Sequence, residues 1–300
     1  MLLRQVHDEV LGRLGRVGIA ARHAVESLLS GQHRSVHRGL SVEFAGHRAY
    51  QPGDDLRHLD WQVYARSDRY DVKVFEEETR LNATLVVDYS GSMGYGSTGQ
   101  SKLDYARMLA ASLAFLMVRQ GDAVGLVTCD TGVRQQFPVG ATMGHLVSLL
   151  AELEEQPVGG ETSLGTILES LPGRLNRRSL VILISDCLDH AQPLSRALQA
   201  LRFAGHDVRI FQVLDPAEQH FAFDGSFEFI GMEGEAPLRL DASRIRKLYQ
   251  ETLNAHREEL SAGCHRAGVA FTAASTDEDL AMLLVRALTQ GGQAPQGQRK

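Results

Sequence analysis

The sequence predicts an α/β protein: a doubly wound, mostly parallel sheet with one antiparallel edge strand, plus a smaller N-terminal region of β and irregular structure. Three observations lead there. From residue 83 onward, short runs rich in Val, Ile and Leu alternate with longer stretches whose apolar residues recur every three or four positions, as strands joined by covering helices do. The second and third of these runs are separated by a few residues, enough for a hairpin and too few for a crossover, so one edge strand must be antiparallel. A chain of 300 residues, 43% hydrophobic and 23% charged, supplies the core that such a sheet requires.

The elements follow in order. Over residues 1–34, Val6, Val10, Leu14, Val17, Ala21, Val25 and Leu28 form one helical face, weakened by Gly12, Gly15 and Gly18 and assigned to packing on the protein body. Residues 35–82 read as short strands and turns, with alternation at Val42–Phe44 and Val72–Phe75 and turn chemistry at Gln51–Asp55. This region has few large apolar residues and is expected to dock on the sheet domain. Residues 83–289 form that domain. Its strands are read at Thr84–Asp88, Ala123–Thr128, Val133–Val139, Leu180–Ser185, Val208–Leu214 and Val269–Ala273. Its helices are read at Leu103–Gln120, Met143–Glu155, Ser163–Leu171, His190–Phe203, Ser243–Arg266 and Asp277–Thr289. The aromatic and turn residues from Phe221 to Phe229 predict a β-hairpin insertion within 217–240, and the Gly/Gln-rich tail over 290–300 is expected to be disordered.

Composition excludes several classes. A net charge of -6 argues against a nucleic-acid binder, which displaces phosphate counterions with a basic face. Cys129, Cys187 and Cys264 are far apart and form no CxxC pair, so a reducing compartment is expected. The longest apolar stretch, Met108 to Val118, falls short of the ~20 residues of a membrane span and reads as a buried helix. With no membrane span and no apolar leader at the N-terminus, a cytoplasmic location is expected.

The most informative residues are Asp88-Tyr89-Ser90-Gly91-Ser92, where the first sheet strand runs out into a loop. Ligands of open α/β sheets collect at the carboxyl ends of the strands. Asp88, Ser90 and Ser92 alternate with other residues, so a curled loop aims one carboxylate and two hydroxyls at a common point. Hard oxygen donors of this kind suit Mg²⁺ or Mn²⁺. Asp186, after the strand Leu180–Ser185, adds a second carboxylate on the same sheet edge, and Thr162 brings a hydroxyl to a helix start.

In order and context, Asp88, Ser90, Ser92, Thr162 and Asp186 resemble the metal-ion-dependent adhesion site of von Willebrand factor A domains. The resemblance implies that the serines and threonine contact the cation, that the aspartates contact it directly or through water, and that a partner's carboxylate fills the remaining position. A second resemblance rests on Arg38–Phe44, Arg48–Trp61, Ala65-Arg66 and Val72–Glu78. These stretches are similar to the signature of domain-of-unknown-function family 58, a bacterial family often encoded beside MoxR-type AAA+ ATPases. It implies an adaptor or chaperone-like partner of such an ATPase.

The signature also has a physical reading. Pro52-Gly53 sets a tight turn, and Asp54-Asp55 cap a short helical segment carrying Arg57, Asp60 and Trp61. Arg48, Arg57 and Arg66 among Asp54, Asp55, Asp60 and Glu77 form a charge-assisted network. Trp61, the only tryptophan, is assigned to the core.

Competing motifs fail on register. Gly94–Gly99 spells GxGxxG, but it begins well after the strand, and Ser101 with Asp104 forms a capping box that starts the helix beyond it. Gln100 stands where a phosphate-binding loop needs lysine. No GxSxG elbow or HExxH is present, and His190 reads as an ordinary surface residue at a helix start. The expected function is therefore non-enzymatic, a metal-dependent protein-binding module whose site hydroxyls at Ser90 and Ser92 sit exposed on a loop. The rival is a metal-dependent phosphohydrolase on the same oxygens, which a third carboxylate with a poised base would favour.

Overall fold

The computed structural model describes residues 44–50, 61, 63–64, 69–75, 81–175 and 178–290. The helix expected over 1–34, the tail after 290 and the charge network through Arg57, Asp60 and Arg66 lie outside them.

The described residues belong to two compact units. The smaller lies within Arg34–Arg80, where β1 (Phe44–Ala49) pairs antiparallel with β2 (Asp71–Phe75). The core assignment of Trp61 is corrected here: the residue is 62% exposed, edge-on to Tyr64, which stacks on Tyr70.

The larger unit is built on six strands: β3 (Asn82–Asp88), β4 (Ala123–Cys129), β5 (Val133–Gly140), β6 (Leu180–Ser185), β7 (Asp207–Leu214) and β10 (Ala270–Ser275). Their order is β10-β7-β6-β3-β4-β5, parallel throughout except for β5, which pairs antiparallel with β4. This is the von Willebrand factor A-like arrangement. The helices are α1 (Lys102–Arg119), α2 (Met143–Glu155), α3 (Leu164–Ser170), α4 (Ala191–Phe203), α5 (Pro216–His220), α6 (Ala242–Ala267) and α7 (Leu280–Gln290). The short α5 has no counterpart in the sequence reading. The expected hairpin is present as β8 (Ser226–Phe229) paired with β9 (Leu238–Asp241).

Side chains alternate across the sheet with period two. Leu85, Val87, Ile182 and Ile184 join one core with α1, α2 and α7, whereas Val86, Val181 and Leu183 join the other with α3, α4 and α6. A central sheet covered on both faces explains why its strands are continuous apolar runs. The 108–118 stretch lies inside α1, with nearly all of it buried. That helix starts as expected: Ser101 Oγ accepts from the Asp104 amide at 3.0 Å while Asp104 Oδ2 accepts from the Ser101 amide at 3.2 Å.

Leu85 is wholly buried in a central strand, so Leu85→Ala should lower unfolding stability by about 3 kcal/mol. Ser101→Ala, which removes only a cap, should cost about 1 kcal/mol. Urea unfolding measures both, and a reversed order would contradict the central placement of β3.

Candidate metal and partner-binding site

The register of β3 against β6 assembles the site. Val87 pairs with Ile184, so Asp88 and Ser185 leave the sheet side by side, and Ser185 Oγ donates to Asp88 Oδ2 at 2.7 Å. Asp88 Oδ1 accepts from the Ser90 amide at 2.9 Å, which curls the loop and turns Ser90 toward Ser92. Their hydroxyl oxygens stand 3.2 Å apart, close to the separation of about 2.9 Å that adjacent oxygens adopt around octahedral Mg²⁺.

Thr162 arrives from a separate loop. The Gly91 amide donates to Gly160 O at 2.9 Å and the Gly159 amide to Tyr89 O at 3.0 Å. Arg134 secures the same loop, donating to Pro157 O and Gly159 O at 2.7 Å each. The five expected residues thus occupy one end of the sheet, around a cleft of about 440 Å³ lined by Ser92, Thr162 and Asp186.

The electrostatics are lopsided. Asp88 is fully buried, and burial, followed by the nearby Asp186 charge, raises its pKa from 3.8 to about 6. Asp186 has a cation of its own: the Lys102 ammonium lies 2.7 Å from Asp186 Oδ2 and 2.6 Å from Glu218 Oε1. Burial opposes the Lys102 charge, but Asp186 and Glu218 prevail and hold its pKa above the usual lysine value. Glu218 is itself raised, by burial first. A fourth carboxylate enters from the loop between β8 and β9. Glu233 Oε1 accepts from Thr162 Oγ1 at 3.0 Å and from the Ser92 amide at 3.2 Å, and Oε2 accepts from the Thr162 amide at 3.2 Å.

Four carboxylates and one ammonium leave this end of the sheet rich in negative charge. Asp88 has only neutral donors, a buried arrangement that favours a bound cation or a proton. Among the described residues no three His, Cys, Asp or Glu side chains form a metal-ligand group by themselves. The donor set that fits a hard divalent ion is the mixed one, Asp88 with the hydroxyls of Ser90, Ser92 and Thr162.

One expectation is corrected. Ser90 is completely buried, because the loop folds back beneath Gly91 and the 159–163 segment, so its hydroxyl contributes to packing as well as to the site. His190 stands exposed at the start of α4, as expected. The GxGxxG loop is pinned by an acid: Ser97 donates to Asp215 through its amide at 2.9 Å and its hydroxyl at 2.5 Å. The three thiols are buried, and burial pushes each above the usual range, which leaves little thiolate for chemistry.

Lys102, Ser185, Glu218 and Glu233 escaped the sequence reading. Lys102 did leave a signal, since a cation in the first turn of a helix opposes the helix dipole and needs a tertiary reason. Glu233 left none: it is 141 residues from Ser92.

Fold and cluster together define a von Willebrand factor A-like domain with an oxygen-rich site at its strand ends. The chain belongs to the family described as Protein of unknown function DUF58, whose model matches residues 46–259. Uncharacterized proteins of Mycobacterium tuberculosis and Mycobacterium bovis are each 26% identical to it over 293 residues, covering 95% of this chain and 91% of theirs. Among solved structures, BatB from Bacteroides thetaiotaomicron is 14% identical with a TM-score of 0.49, covering 71% of this chain and 99% of that one. An aerotolerance-related membrane protein from Bacteroides fragilis is 16% identical with the same TM-score of 0.49, covering 70% and 97%. No helix among the described residues of the present chain is long and apolar enough to cross a membrane.

The raised Asp88 pKa carries a sign. In the folded chain Asp88 keeps its proton up to about pH 6, and in the unfolded chain only to about 3.8, so between these values the native state holds more protons. With chelator present, its contribution should be complete below the lower value and lost as pH rises through the upper. The difference is worth about 3 kcal/mol. Metal-free Asp88→Asn should therefore be more stable than wild type near neutral pH, by up to that amount, with the advantage vanishing in acid. Urea midpoints of both proteins across this range are the measurement, and an advantage that grows toward acid would contradict the assigned shift.

Proposed function

We propose that this chain is a non-enzymatic protein-binding module that holds Mg²⁺ or Mn²⁺ at Asp88, Ser90, Ser92 and Thr162, with Asp186 behind them, and recognises a carboxylate on a partner. The observation that carries this reading is the buried Asp88 carboxylate, bonded only to neutral donors and set beside two hydroxyls 3.2 Å apart. A divalent cation there would supply positive charge to attract an acidic side chain. The chain's own groups orient that approach: Asp88 receives the Ser90 amide and Ser185 hydroxyl and so keeps the loop curled, while Lys102 neutralises Asp186. The resemblance of the N-terminal signature to a family often encoded beside MoxR-type AAA+ ATPases supports such an ATPase, or its client, as the partner.

The phosphohydrolase reading gains further carboxylates in Glu218 and Glu233, yet Glu218 is paired with Lys102, and both oxygens of Glu233 accept hydrogen bonds from Ser92 and Thr162. A base must be free to take a proton from water. Lys102 is likewise engaged by two carboxylates and does not face a phosphoryl group as a spare cation.

Ser92, partly buried, is a gentler probe than the buried Ser90. Ser92→Ala should weaken Mg²⁺ binding about tenfold or more, a loss of about 1.4 kcal/mol, with thermal stability nearly unchanged. Calorimetric titration with MgCl₂ checks this, alongside assays for ATP and phosphate-ester turnover, which should find none. Unchanged Mg²⁺ affinity, or turnover abolished by Asp88→Ala, would overturn the proposal.

A further inference from the structure

The loop between β8 and β9 places an acidic side chain of this chain where the proposed function puts a partner's. From this we infer that Glu233 is an internal, displaceable occupant of the carboxylate site, so that the 230–235 loop holds the module closed until a partner's acidic residue replaces it. The inference rests on the proposed carboxylate recognition and not on the identity of the ion.

The geometry is that of a bound ligand. Glu233 accepts two backbone amides and one hydroxyl, and these come from two segments remote from it in sequence. Two amides and a hydroxyl converging on one carboxylate form a cradle that any aspartate or glutamate side chain satisfies equally well. The approach is close. A Cβ at position 91 would clash with the Met232 carbonyl and meet the Glu233 stem at 3.2 Å, so the glycine of Asp88–Ser92 is what admits the loop.

The insertion is firm at its base and thinly held at its tip. Phe221 stacks on Tyr249 with ring centroids 4.4 Å apart and on Phe229 at 5.8 Å. Phe223 packs edge-on to Phe221 and Phe229, and Arg246 donates to Phe221 O and Phe223 O. Toward the tip, burial ends: β8 and β9 are largely exposed, as are Ile230 (71%) and Met232 (47%). The other bond recorded for Glu233 is local, from its amide to Glu235 Oε2 at 3.0 Å. A tip with few buried contacts opens at low free-energy cost, whereas its aromatic base does not. Glu233 also adds negative charge to an end of the sheet that already carries Asp88, Asp186 and Glu218 against Lys102, which weakens its hold further.

A site closed about nine-tenths of the time reduces the apparent affinity of a competing ligand about tenfold. The test uses the full chain, with and without MgCl₂, and blocked tripeptides, Gly-Glu-Gly and its Gly-Gln-Gly counterpart. Binding is followed by the backbone amide resonances of Ser92 and Thr162. Glu233→Ala should bind the glutamate peptide about tenfold more tightly than wild type and ignore the glutamine peptide. Gly91→Ala, which pushes the loop away through the Met232 carbonyl while keeping the Glu233 side chain in the sequence, should move affinity the same way and serves if the first variant folds poorly. Glu228→Ala removes an equal charge from the exposed hairpin and should leave affinity unchanged. Equal peptide affinity in wild type and Glu233→Ala would overturn the inference while leaving carboxylate recognition standing. Weaker Mg²⁺ and peptide binding by Glu233→Ala would overturn it in favour of Glu233 as a permanent ligand. Binding by neither chain would remove the inference together with the function it rests on. A gain in affinity that needs no magnesium would keep the inference and remove only the metal requirement.

Discussion

Two aspartates stand at the ends of adjacent parallel strands, one residue apart in register, and the rest of this end of the molecule is organised around them. Asp88 and Asp186 are buried, and the nearby Asp186 charge adds to the cost of charging Asp88. One aspartate is answered by an ammonium drawn from the first turn of α1, where helix electrostatics alone would not place it. The other receives only neutral hydroxyl and amide donors. The asymmetry defines the chemistry, because it leaves one carboxylate neutralised within the chain and the other in need of a proton or a cation.

Much of this was readable before any coordinates. Helix Met143–Glu155 and strand Leu180–Ser185 fall at the residues read from periodicity, and the other strands and helices given ranges in the sequence reading differ at their ends by a few residues. Apart from the edge strand β5, these segments bury at least one face, so local pattern and tertiary demand agree. That Asp88, Ser90, Ser92 and Asp186 gather at one end of the sheet was legible for a related reason: residues just after parallel strands occupy places that topology dictates. Trp61 was misjudged because burial of an aromatic was inferred from residue type, whereas the ring stands largely exposed beside Tyr64. Ser90 was placed on an exposed loop because loops are usually exposed, and what buries it is another loop tied across Gly91. Glu233 was invisible because nothing in an eight-residue hairpin tip specifies where that tip will land.

The insertion also shows how a short segment acquires two mechanical characters. Four phenylalanines and a tyrosine give its base a small aromatic core of its own, joined to α6 through Tyr249 and Arg246. Beyond the last ring, polar contacts take over. Rigid attachment and loose tip are therefore written into composition within about twenty residues, a division that stability measurements on whole domains average away.

The antiparallel strand β5 has a consequence at the far edge of the sheet. Strand edges are the usual templates on which unrelated chains add themselves and aggregate. β5 carries Arg134, Gln135 and Gln136, includes Pro138, which has no amide to offer, and shifts register against β4 at both ends. Such an edge is a poor docking strip for a foreign strand. Strand addition is thereby disfavoured along this flank of the sheet.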